Sequence, residues 1–96
     1  MTRKDDAGKP RFSLLPRHFI GEVIKVLEFG AGKYGVDNWQ TVAESRRRYY
    51  DAALRHIDLW WNGETFDPES NAHHLACASA CCAFLIWGDL KAECGE

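Results

Sequence analysis

Ninety-six residues suffice for one domain, and a chain of that length buries only a modest core. A formal net charge of −2 excludes the broad basic surface that binding to long nucleic acid requires. Twelve aromatic side chains, four of them Trp, exceed what so small a core needs, which points to a homo-oligomer.

Met1–Gly8 is polar and reads as a flexible arm, leaving 9–96 as the single folded domain. Lys9–Pro16 is bracketed by prolines and is expected to be extended. From Arg17 the pattern turns helical: Ile20, Val23, Ile24, Leu27 and Ala31 recur at the spacing of one buried stripe. Gly30, Gly32 and Gly35 are expected to end this helix, and a short extra turn follows over 36–42 with Asn38 and Trp39. A second helix is predicted over Ser45–Trp61, with Ser45 as N-cap and Tyr50, Ala53, Leu54, Ile57 and Trp61 as its apolar stripe. Asn62-Gly63 stops it, and Asp67-Pro68 has the chemistry of a third helix start. The interior of that helix, Leu75–Leu90, is apolar nearly all round, as in a central buried helix. No period-two pattern appears, so the fold class is all-α: a small bundle of three main helices plus a short extra turn.

The polar N-terminus shows no signal peptide, and the apolar run Leu75–Trp87 falls short of the ~20 residues a bilayer-spanning helix needs. Cys77, Cys81 and Cys82 form no CxxC pair and read as small buried hydrophobes. A cytoplasmic setting with no membrane partner is the expectation.

Arg55–His74 gathers three histidines, four carboxylates and two tryptophans at a helix–loop–helix junction. Glu64, Asp67 and Glu69, with Glu22 beside the first stripe, are oxygen ligands suited to Mg²⁺ or Mn²⁺. N-capping alone would also explain Asp67, and the helix dipole Glu69. Antiparallel packing across the short loop would bring His56 towards His74, a pair suited to acid–base work with Glu64. Of the adjacent His73 and His74, His74 is the inward one, because Ala78 and Cys81 share its face. Lys9, Arg11, Lys33 and Arg55 are candidates to hold phosphate, Tyr34, Trp39 and Trp60 to stack on a base, and Asn38 to read its edge. Trp39, Trp60 and Trp61, as large apolar side chains in so small a chain, are read as core first, whatever else they do.

K-P-R-F-S-L-L-P, F-G-A-G-K-Y-G-V-D-N-W, Y-D-A-A-L-R-H and G-E-T-F-D-P-E-S-N-A-H-H-L, in that order, resemble one family. It is the phage and prophage dATP/dGTP diphosphohydrolase N-terminal domain, near the MazG-like all-α nucleotide pyrophosphohydrolases. The resemblance covers about Lys9 to Ile86. It implies metal-dependent cleavage of a (deoxy)nucleoside triphosphate to monophosphate and pyrophosphate, in host cytoplasm. In that scheme His56, Glu64 and His74 are catalytic, and Glu22, Glu64, Asp67 and Glu69 hold the metal. Two departures stand out: Cys77 replaces a histidine that the family often carries, and the three helices lack the ExxE pair of MazG-like enzymes. The alternative is a non-catalytic binder of nucleotides or nucleotide-derived signals. A third reading is a purely structural helical module.

Overall fold

Among the described residues three helices carry the fold, and each begins and ends for a local reason. The computed structural model describes residues 7–93; most of the expected arm at Met1–Gly8, and Cys94, lie outside them. Helix α1 spans Arg17–Tyr34, α2 spans Ser45–Trp61 and α3 spans His74–Glu93. Short 3-10 turns occupy Phe12–Leu14 and Asn38–Thr41, so the stretch before α1 is not uniformly extended, while the extra turn falls where expected. Among the described residues there is no strand, only an isolated bridge between Phe66 and His73.

Helix α1 runs through Gly30 and Gly32 and stops at Gly35, whose φ of +99° only glycine adopts without strain. Its N–H donates to the Ala31 carbonyl at 2.9 Å and closes the last turn. Helix α2 has the expected bounds, but Ser45 is its first residue; the flanking residue is Glu44, in the left-handed region.

The largest correction concerns α3. Asp67-Pro68 does not open it. The Asp67 carboxylate accepts from the Ser70 amide at 3.1 Å and the Ser70 hydroxyl at 2.8 Å, closing a turn of its own. Asn71, in the left-handed region at φ +64°, reverses the chain, and the Asp67 amide donates to the Ala72 carbonyl at 2.8 Å. The helix then begins at His74. The side chain of His73 acts as its cap: Nδ1 accepts from the Leu75 amide at 3.0 Å. An Asp-Pro sequence serves a tight turn as well as a helix start, and the Ser70 hydroxyl decides between them.

The core is small and built from small residues. Ala53 on α2 meets Ala78 and Cys81 on α3, with Tyr49 and Ala52 packed against them. Short side chains let the two helices approach closely. Trp39 stacks on Phe84 with centroids 4.5 Å apart and meets Trp87 edge-on at 4.9 Å, which pins the second 3-10 turn to α3. Such aromatic pairs contribute about 0.5–1.5 kcal/mol beyond their buried area.

The two stripes read as buried are largely not so. No residue of α1 is buried, and of the α2 stripe only Ala53 is. Helix α3 holds most of the buried residues, in its first two turns, while Ile86 and Leu90 are exposed, as is Cys82. At 20 residues, α3 is long and apolar enough to cross a membrane by length and composition, longer than the run read from sequence. Its Ala/Cys face is here occupied by α2.

Candidate functional site

The start of α3 and the last third of α2 bring two histidines into contact. His74 is 0 % exposed. Its Nε2 lies 3.0 Å from Glu64 Oε1, and its Nδ1 lies 2.9 Å from His56 Nδ1. A carboxylate can only accept, so His74 Nε2 donates to Glu64. In the neutral ring this leaves His74 Nδ1 as an acceptor, and His56 Nδ1–H donates to it. The lone pair of His56 is then on Nε2. The result is a hydrogen-bonded chain, Glu64 to His74 to His56, that fixes one tautomer of His56. Burial lowers the His56 pKa below 6.5; His74 and Arg55 add to this and Asp67 opposes it.

His56 lines a cleft of about 950 Å³ between α1 and the α2–α3 pair. Tyr34, Asn38 and Trp39 wall the same cleft, and so do Asp67 and Glu69. The sequence pointed to all of these. It did not point to Glu28, Asp37, Tyr49, Ser70 or Phe84, which line it together with Arg48. Of these only Ser70 carried a usable signal, since it lies three residues after Asp67. Tyr34 is well exposed, with the Lys33 ammonium 5.1 Å from its ring centroid, whereas the ring of Trp39 is engaged by Phe84 and Trp87.

Other candidates fall elsewhere. Trp60 packs beside Trp61 and does not line the cleft. Lys9, Arg11 and Arg55 do not line it either. Lys33 sits at its edge, ion-paired with Glu69, which holds the lysine pKa above its ordinary value. The charged groups of the lining are four carboxylates and one guanidinium, so the cleft offers little positive charge to a bare triphosphate.

The expected metal ligands do not converge. Glu22 accepts from the His73 amide at 2.8 Å and pairs with Lys25 at 2.8 Å; these contacts hold its pKa below 4.5. Glu64 is committed to His74, and Glu69 to Lys33. Burial pushes the Asp67 carboxyl up, but hydrogen bonds from Ser70 and Glu69 outweigh it and leave the pKa lowered. Among the described residues no group of three or more His, Cys, Asp or Glu side chains is placed to hold a metal ion. The set does not fit a resident Mg²⁺ or Mn²⁺, because each carboxylate already serves a turn, a helix start, a histidine or a cation. Cys77 is buried and bonds weakly to Ser70 Oγ at 3.8 Å, and burial raises its pKa. It behaves as core, not as a ligand.

The dATP/dGTP diphosphohydrolase N-terminal family matches residues 1–94. The chain belongs to that family. It is 37% identical over 84 residues to a dATP/dGTP diphosphohydrolase of Salmonella phage PMBT28, an alignment covering 88% of this chain. The same alignment covers 28% of the phage protein, so the chain spans less than a third of that relative. No solved structure matches the chain significantly. The family membership agrees with the ordered motifs read from the sequence.

Proposed function

We propose that this chain binds a purine deoxynucleoside triphosphate in the α1–α3 cleft, as its divalent-metal complex because the lining sets one guanidinium against four carboxylates, and takes part in its hydrolysis to monophosphate and pyrophosphate. The observation that supports this reading most is the Glu64–His74–His56 chain, which ends on the cleft wall. Water attacks the α-phosphorus, His56 Nε2 takes its proton, and the bond to the bridging oxygen breaks so that pyrophosphate leaves. The lowered His56 pKa keeps the ring neutral near pH 7, as a base must be. Glu64 steadies the charge passed towards His74. Tyr34 stacks on the base and Asn38 bonds its edge. The resemblance to MazG-like enzymes implies Mg²⁺ or Mn²⁺, which would enter with the nucleotide; no step here runs through a resident metal, because the carboxylates are not grouped for one. Host cytoplasm, with no membrane or long nucleic acid as partner, is the setting of this proposal. The free thiols of Cys77 and Cys81 agree with a reducing compartment.

A second reading is favoured by the ungrouped carboxylates: the chain binds the nucleotide without turning it over. A panel of dATP, dGTP, dCTP and dTTP, each with and without Mg²⁺ or Mn²⁺, separates the two. The expected result is pyrophosphate release from the purine nucleotides only where Mg²⁺ or Mn²⁺ is present, with kcat reduced about 10²–10⁴-fold in His56→Ala. Saturable binding without product favours the second reading, and neither binding nor product defeats both.

A further inference from the structure

Two apolar stripes of equal length stand open on this chain, one on α1 and one on α2. On α1, Ile20, Ile24 and Leu27 follow at i, i+4 and i+7 and are 37–46 % exposed. On α2, Tyr50, Leu54 and Ile57 follow at the same spacing, with Trp61 one turn on, and are 40–77 % exposed. Each helix packs principally on α3, not on the other. The shape agrees: the radius of gyration is 16.1 Å, whereas a compact chain of this length has about 12.5 Å. The chain exposes 7802 Å², about 2,200 Å² more than the roughly 5,600 Å² of a folded monomer of its mass. Even if half of that excess belongs to the chain ends, the rest exceeds the roughly 800 Å² per partner of a standard interface.

We propose that a second copy of this chain covers both stripes, with α1 of each copy packed on α2 of the other. A two-fold axis makes the two contacts equivalent, so one interface satisfies both faces. Pairing α1 with α1 would leave the α2 stripe in water. The spacing i, i+4, i+7 on both helices suits ridges-into-grooves packing of this kind. Ile24 and Leu27 also wall the cleft, so α2 of the second copy roofs the cleft on its α1 side. The site is then incomplete in a single chain.

The experiment uses the full chain in sedimentation equilibrium and a charge-pair exchange. The wild-type chain is expected at twice the monomer mass. Ile24→Lys alone and Leu54→Glu alone are each expected as monomers with helicity unchanged by circular dichroism. Their equimolar mixture is expected to return to dimer mass, because the ammonium of Ile24→Lys in one chain then faces the carboxylate of Leu54→Glu in the other. A monomeric wild-type chain, variants that stay dimeric, or a mixture that stays monomeric overturns the proposal. If either variant loses helicity, hydrogen exchange of the wild-type chain over a concentration series decides instead. Protection of α1 and α2 together should rise with concentration, and protection that does not change overturns the pairing. A wild-type chain that sediments with added lipid vesicles instead of as a dimer would assign the stripes to a membrane surface and also overturn it. None of these readouts depends on nucleotide, so failure here leaves the proposed hydrolysis standing, and the reverse holds too.

Discussion

His74 is the residue on which the site turns. It is fully buried, and both of its ring nitrogens have partners, Glu64 on one side and His56 on the other. Replacing it with Ala removes a packed ring and leaves the His56 Nδ1–H without its acceptor. We expect His74→Ala to lower the free energy of unfolding by about 2–4 kcal/mol in a urea titration. Glu64 is nearly half exposed, so solvent screens its share; Glu64→Gln is expected to cost less than about 1 kcal/mol. His56 adds a pH dependence whose sign follows from its lowered pKa. Between the folded value and the unfolded value near 6.5, the unfolded chain binds more protons than the folded one. Its contribution to stability is therefore complete above pH 6.5 and is lost as the pH falls through the folded value. Urea titrations over this range should show the wild-type chain losing stability on acidification, and His56→Gln losing less. An equal loss in both would remove His56 as the source.

At the level of elements, the junction between α2 and α3 carries the site. Helix α2 ends on Asn62, whose amide donates to the Asp58 carbonyl, and Gly63 follows at φ +105°. A Cβ at Gly63 would meet open space, so Gly63→Ala tests the backbone alone. We expect it to cost about 1–2 kcal/mol, read as a lower urea midpoint with unchanged slope. Because Glu64 comes directly after Gly63, the same variant should also reduce turnover, through loss of its bond to His74. The α2 and α3 helices, their rough lengths and the turn between them were legible in the sequence, since helical periodicity and Asn-Gly are local signals. The true start of α3 was not. Asp67-Pro68 fits two local structures equally well, and the choice rests on Ser70 and on the pairing of Phe66 with His73.

At the level of the whole molecule, exposed apolar surface is the dominant feature. The small-residue contact of α2 with α3 is tight, but α1 contributes no buried residue. A chain organised in this way draws stability from association, and association makes stability depend on concentration. We expect the thermal midpoint of the wild-type chain to rise with protein concentration, and that of Ile24→Lys to stay constant. Concentration-independent melting of the wild-type chain would contradict the paired stripes. The same openness leaves the cleft broad, with His56 and Tyr34 on walls that α1 and the α2–α3 pair supply separately.

Residue order alone determined the all-α class, the bounds of α2, the short turn at Asn38, and the inward choice of His74 over His73. Each depends on neighbours three or four positions away, which a helix brings together whatever the rest of the chain does. It also determined the family, through motifs in fixed order. Tertiary structure alone decided which charged groups meet. It committed Glu22 to the His73 amide and Glu69 to Lys33, and it kept Arg55 and Trp60 out of the cleft. Those outcomes depend on where α1 lies against α3. Periodicity marks an apolar face but does not say whether its cover comes from the same chain or from another, because the hydrophobic effect depends on area removed from water and not on connectivity.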